Sequence, residues 1–275
     1  MKIKMVVVDM DGTFLNDQNT YNQQRFMELF EQLKRQQIKF VVASGSQFQR
    51  LQGQFASVKD NLDFISQNGA LVHHGHELIA AEAINERDLQ QALQLIAREF
   101  TQNYMMQTTI SGVKKTYVDR QTPMEVLQII KRYYYAVELV DDFFAVTAAA
   151  VHDQITKIGV TFADPNNYQT LVNQLRTKLP ATLASQNSGF NTELIGNAGV
   201  DKVTGINRLQ ERYGIASDQI MTFGDNENDL KMLQMTPYGF AMQNATAQFK
   251  QQVNNVTQAD NNHDGVLATI QQMIE

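Results

Sequence analysis

The chain has 275 residues, 43% of them hydrophobic and 19% charged, a balance that supports the packed core of one large domain or two moderate ones. Its net charge of -6, with no lysine–arginine cluster, argues against nucleic acid as the main partner, though one local lysine is enough to hold a small phosphorylated ligand. There is no cysteine, which excludes disulfides, thiol chemistry and cysteine zinc sites, and no apolar stretch reaches the length of a signal peptide or a spanning helix, so a cytoplasmic protein with no membrane partner is expected.

The first fifteen residues contain "KIKMVVVDMDGTFLN". Ile3 to Val8 is β-branched and nearly continuous, the pattern of a strand buried on both faces of a parallel sheet, and Asp9 and Asp11 follow where it leaves the sheet. "TYNQQRFMELFEQLKRQQ" sets Phe26, Leu29, Phe30 and Leu33 on one helical stripe, with Thr20 as the expected N-cap. Further buried strands are expected at Ile38 to Ala43 and Leu62 to Ser66, and strand–helix–strand at this spacing is a βαβ unit. "HHGH" at 73–76 lies between two alternating apolar segments, so it reads as a hairpin turn and not as a metal tract.

The middle of the chain changes character. Helices are expected at "NERDLQQALQLIAREF", "TPMEVLQIIKRYYYAV" and "NNYQTLVNQLRTKL", mixed with strand-like "KKTYVD" and "TKIGVTFA". Core packing is expected for one or two of the three tyrosines at 133–135. The α/β pattern then returns: "DKVTGINRLQERYG" is a helix ending at Gly214, "QIMTFGD" a buried strand and "ENDLKMLQM" a helix, with short strands at "YGFAM" and "NNVT". The expected fold is therefore α/β, a Rossmann-like parallel-sheet core at 1–83 plus 189–275 with an α+β cap inserted at 84–188. The many glutamines read as a surface habit.

Ligands of open α/β sheets bind beyond the carboxyl ends of the strands. The residues there are Asp9 and Asp11 after the first strand, Ser44, Gly45 and Ser46 after the second, and Asp225, Asn228 and Asp229 after the late strand, while Lys202 opens a helix. Converging carboxylates require a hard cation, and oxygen donors without cysteine or clustered histidine point to magnesium. A serine hydroxyl, loop amides and a lysine beside that cation are what a phosphate dianion needs, and a carboxylate can attack phosphorus directly.

In order along the chain, "DMDGTFL", the "SG" pair at Ser44, Lys202 and "GDNENDL" resemble the four motifs of the haloacid dehalogenase superfamily, and the long insert resembles the large α/β cap of its Cof-type sugar phosphatases. "SQNGALV" at 66–72, "FAMQNA" at 240–245 and "NHDGV" at 262–266 match as well. The resemblance implies a magnesium-dependent phosphatase of small phosphorylated metabolites. Asp9 is implied as nucleophile and Asp11 as general acid, then base. Magnesium is implied on the side chains of Asp9 and Asp225 and the backbone carbonyl of Asp11, and phosphate on Ser44, Gly45, Lys202, Asn228 and the Met10 amide. Asp229 is implied to orient the metal waters or Lys202. Relatives often carry arginine where this chain has Ser46, which puts any arginine contact there in doubt. A phosphomutase would carry its cap between the first two motifs, where only one helix fits. A non-catalytic phospho-ligand-binding protein on the same fold would have lost Asp9, Asp11 or Lys202, and all three are present.

Overall fold

The computed structural model describes residues 3–101, 105–188 and 191–274. The chain begins with β1 (Met5–Val8), α1 (Gln23–Arg35), β2 (Lys39–Ala43), α2 (Phe48–Gln54), β3 (Asp63–Ser66), β4 (Leu71–His74) and β5 (Glu77–Ala81). It continues through α3 (Glu86–Glu99), β6 (Met105–Gly112), β7 (Thr116–Asp119), α4 (Met124–Tyr133), β8 (Val137–Val140), β9 (Ile155–Phe162), α5 (Tyr168–Lys178), β10 (Leu183–Asn187) and β11 (Thr192–Asn197). It ends with α6 (Lys202–Tyr213), β12 (Ile220–Gly224), α7 (Leu230–Gln234), β13 (Tyr238–Ala241), α8 (Ala247–Lys250), β14 (Asn255–Val256) and α9 (Gly265–Ile274). Among the described residues no helix is long and apolar enough to cross a membrane.

Two compact units divide the chain. The first holds an eight-stranded sheet in the order β14-β13-β12-β1-β2-β3-β4-β5, parallel from β14 to β3 and antiparallel from β3 to β4. Every residue of β1 is buried, as its unbroken apolar run requires, and Met5 and Val7 join Val41, Ile65, Ile206 and Leu209 in one core. Helix α1 buries Phe26, Leu29, Phe30 and Leu33 as expected, but Thr20 is not its cap: Asn22 accepts from the Arg25 amide at 3.2 Å, while Thr20 bonds Asn16. Asn22 immediately precedes the first helical residue, so its side-chain oxygen, and not that of Thr20 two residues earlier, meets the orphan amide. The hairpin at 73–76 forms, with Gly75 at φ 53°.

The second unit carries a six-stranded sheet, β10-β11-β9-β6-β7-β8, whose core joins Leu89, Leu93 and Ile96 of α3 and Leu171, Val172 and Leu175 of α5 to Ile110, Ile158 and Val160. Its extent departs from the expected 84–188. It spans Ala81–Val200 and also takes in Gly45–Gln54. β11 pairs antiparallel with β9, so the insert's sheet runs past 188; Gly189 and Phe190, at the expected return to the core, lie outside the described residues. The stretch 45–54 groups with the insert through Gln47. This residue is 1% exposed, contrary to a surface role for glutamine, and its amide donates to Thr116 Oγ1 and the Ala136 carbonyl, both at 3.1 Å, and accepts from the Tyr135 and Ala136 amides. Of the three tyrosines, Tyr133 and Tyr135 stay exposed, and Tyr134 packs against Val118, Leu127 and Ile130.

Candidate active site

The strands β12, β1 and β2 are adjacent and parallel, with Val8 level with both Phe223 and Val42, so their carboxyl ends deliver Asp225, Asp9 and Ser44 to one edge. Asp9 donates its amide to the Phe223 carbonyl at 3.0 Å and is 7% exposed. A tight turn follows, in which the Met10 carbonyl accepts from the Thr13 and Leu15 amides. Gly12 sits in that turn at φ 79°, and a Cβ there would lie 2.6 Å from Asp225 Oδ2, so glycine is required twice over. Thr13, buried, donates its hydroxyl to Asp225 Oδ1 at 2.9 Å and ties the first strand's turn to the late one. Asp11 is exposed and is not one of the three clustered carboxylates, though its charge adds to the upward push on Asp225.

Lys202 is buried and opens α6, where Asp201 caps the helix by accepting from the Val203 and Thr204 amides. Its ammonium donates to Asp9 Oδ1 and, at 2.6 Å, to Asp229 Oδ1. The other oxygen of Asp229 accepts from the Asp225 and Asn226 amides, both at 3.1 Å. Asp229 is thereby committed on both oxygens, which suits an orienting role for Lys202 better than direct metal binding. Asp9, Asp225 and Asp229 each offer an oxygen within 4.8 Å of the others.

The electrostatics follow from three carboxylates sharing one ammonium. Burial, and then the Asp229 charge, push the Asp9 carboxyl well above its usual range against the pull of Lys202. Burial and Asp229 likewise push Asp225 up to about 6. Burial opposes the Lys202 charge, but Asp229 and Asp9 outweigh it and hold the ammonium above its ordinary value. Burial is the first cause of both carboxylate shifts and the Asp229 charge the second, and a divalent cation on oxygen donors would relieve the latter.

Ser44, 2% exposed, is fixed through its backbone: its amide donates to Ile65 at 2.8 Å and its carbonyl accepts from Asn68 at 3.0 Å. Gly45 follows as the first residue of the stretch that groups with the insert. Asn228 does not cap the helix after it, where Asp229 holds the cap position without a side-chain bond; Asn226 caps the short 3-10 turn Glu227–Asp229 that contains Asn228, and the Asn228 Nδ2 donates to Asn68 Oδ1 at 3.3 Å. The structure thus gathers Asp9, Asp225, Asp229 and Lys202 directly, and holds Ser44 and Asn228 through one shared neighbour. Thr13 and Asn68 were not singled out from the sequence. "DGT" and "QNG" carry them, but only contacts 212 and 160 positions away reveal their use.

A parallel sheet with buried acids and a lysine at its carboxyl edge, in a chain that also carries an inserted α+β unit, defines a hydrolase of phosphoryl-transfer type. The chain belongs to the haloacid dehalogenase-like hydrolase family, which matches residues 6–270. It is 29% identical over 276 residues to a 5-amino-6-(5-phospho-D-ribitylamino)uracil phosphatase of Escherichia coli, covering all of this chain and 97% of that one. A Bacillus subtilis phosphatase of the same name is 23% identical, over 95% of this chain and 94% of its own. Among solved structures, SMU.1108c of Streptococcus mutans superposes with a TM-score of 0.87 at 26% identity, covering 98% of each chain. The subclass IIB sugar phosphatase BT4131 has the same fold, with a TM-score of 0.78 at 19% identity over 98% of each chain. The chain is an enzyme of the phosphatase class.

Proposed function

We propose that the chain hydrolyses small phosphate monoesters through an aspartyl-phosphate on Asp9. The observation that carries this reading is the Asp9 carboxylate, buried at a strand end and held by Lys202 among further carboxylates. An Asp9 oxygen attacks phosphorus and the ester oxygen departs with a proton from Asp11. Asp11 then takes a proton from water, whose oxygen attacks the same phosphorus and frees Asp9 as phosphate leaves. The exposure of Asp11 suits a group that must meet both leaving group and water. Lys202, Ser44, Gly45, Asn228 and the Met10 amide hold the phosphoryl oxygens. The donor set fits magnesium on Asp9, Asp225 and the Asp11 carbonyl, where the bound ion supplies positive charge to the phosphoryl group.

Two relatives are named for a substrate whose phosphate sits on a ribityl chain, which supports a phosphorylated sugar or polyol as the substrate class here. The test is phosphate release from p-nitrophenyl phosphate and from a panel of sugar and polyol phosphates, with and without magnesium. Magnesium-dependent release, lost in Asp9→Asn, is expected. A flat trace from well-folded protein would overturn the reading.

A further inference from the structure

The turn after β3 is costly in two ways, in its backbone and in its buried polar atoms. Gln67 and Asn68 both adopt the left-handed region at φ 52°, followed by Gly69 at φ 93°. Side chains other than glycine enter that region at a penalty, and such strain persists only where the surroundings impose it. Asn68 is also 1% exposed, and its Nδ2 makes no hydrogen bond among the described residues; the hydroxyl of Ser66, fully buried two residues earlier, is in the same position. Buried donors without acceptors are rare, and each needs an explanation.

The neighbours of the turn supply one. The Asn68 amide donates to the Ser44 carbonyl at 3.0 Å, and Asn68 Oδ1 accepts from Asn228 Nδ2 at 3.3 Å. A Cβ on Gly69 would fall 1.9 Å from the Asp201 carbonyl, so the turn lies directly against the residue before Lys202. Ser44, Asn228 and Lys202 come from three distant parts of the chain, and this one turn touches the backbone or side chain beside each. Resting on the phosphatase reading above, we propose that Asn68 is a further phosphate-binding residue: its Oδ1 orients Asn228, and its unspent Nδ2 donates to an oxygen of the bound phosphoryl group. The strained backbone is what brings a neutral donor to that spot. A neutral donor adds a contact without adding charge to a site that already holds Lys202 and a place for a cation.

Two substitutions separate the roles. Asn68→Gly removes the side chain while glycine adopts the left-handed backbone freely, so the protein should melt at or above the native temperature. Asn68→Asp keeps an acceptor for Asn228 and tolerates the same backbone, but sets a carboxylate oxygen where the donor was. The readouts are inhibition constants for inorganic phosphate and vanadate, beside kcat and KM for p-nitrophenyl phosphate. Loss of a hydrogen bond to a charged group should weaken both anions in Asn68→Gly roughly 10- to 100-fold. Asn68→Asp should bind them more weakly still, because it adds repulsion. If Asn68→Asp restored native binding, orienting Asn228 would be the whole role and the donor assignment would fall. If Asn68→Gly bound both anions within about threefold of the native protein, the inference would fall while the phosphatase reading stood. If the native protein itself bound neither anion, both would fall.

Discussion

Asp9 and Asp11 are two residues apart and live in different surroundings, one buried under Lys202 and the other exposed. Their substitutions should therefore diverge. Asp9→Asn should abolish turnover and weaken magnesium together, since one side chain is assigned both tasks. Asp11→Asn keeps the backbone carbonyl, so calorimetry should find near-native magnesium binding while steady-state kinetics show a loss of about 10²- to 10⁴-fold. Retention of most of the rate by Asp11→Asn would refute its acid–base role. Gly12→Ala probes the same spot without touching an ionisable group: its Cβ would displace Asp225 Oδ2, so magnesium affinity should drop at least about tenfold while Asp9 and Lys202 remain. At this scale the placement of Asp9, Asp225, Ser44 and Lys202 was legible in the sequence, because each directly follows a strand or opens a helix. Thr13 and Asn68 were illegible, because nothing local to a threonine after "DG" or an asparagine before glycine says which distant carboxylate or amide it will meet.

Among elements, β1, β2 and β12 could be read from apolar runs because a strand covered on both faces leaves no room for polar alternation. Side chains that replace backbone partners escape such reading. Gln47 spends all four hydrogen-bonding positions of its amide on the β7 hydroxyl and the α4–β8 turn, within the unit that Gly45–Gln54 shares with the insert. Composition alone made it one more surface glutamine. Gln47→Ala should cost about 2 kcal/mol in a urea titration, whereas Gln49→Ala, whose amide meets only the Val113 and Lys114 carbonyls, should cost less than about 1 kcal/mol. Strand β4 carries a pH effect. Burial, and then the charge of His76, lower His73 to about 4; His76 itself pairs with Asp60, and His74 with Asp63. Between the ordinary histidine value and 4 the unfolded chain takes a proton that folded His73 refuses, so this stability is present above about pH 6.5 and is lost as pH falls toward 4. The loss should be on the order of 2 kcal/mol, read from urea midpoints at pH 7 and 4.5, and His73→Gln should flatten it.

For the molecule as a whole, the consequential fact is that each compact unit has its own hydrophobic core. Met5, Val41, Ile65, Ile206 and Ile220 close one, and Leu93, Ile96, Ile158, Leu175 and Ile195 close the other. All the carboxylates assigned to the cation, together with Lys202 and Asn228, belong to the first unit. Two cores, with the cation's ligands confined to one, predict two calorimetric transitions that respond to different changes. Magnesium at about 100 times its Kd adds about 2.7 kcal/mol to the unit that binds it, enough to raise that transition by several degrees. Ile158→Ala, which opens a hole in the fully buried centre of the insert, should cost about 2–4 kcal/mol and lower the other transition. The two responses should be separable in one scanning experiment on the full chain. A single transition that shifted as a unit under both changes would mean that the four crossings of the chain between the units bind the cores into one cooperative whole, and ligand binding would then stabilise the insert as much as the sheet that holds Asp9.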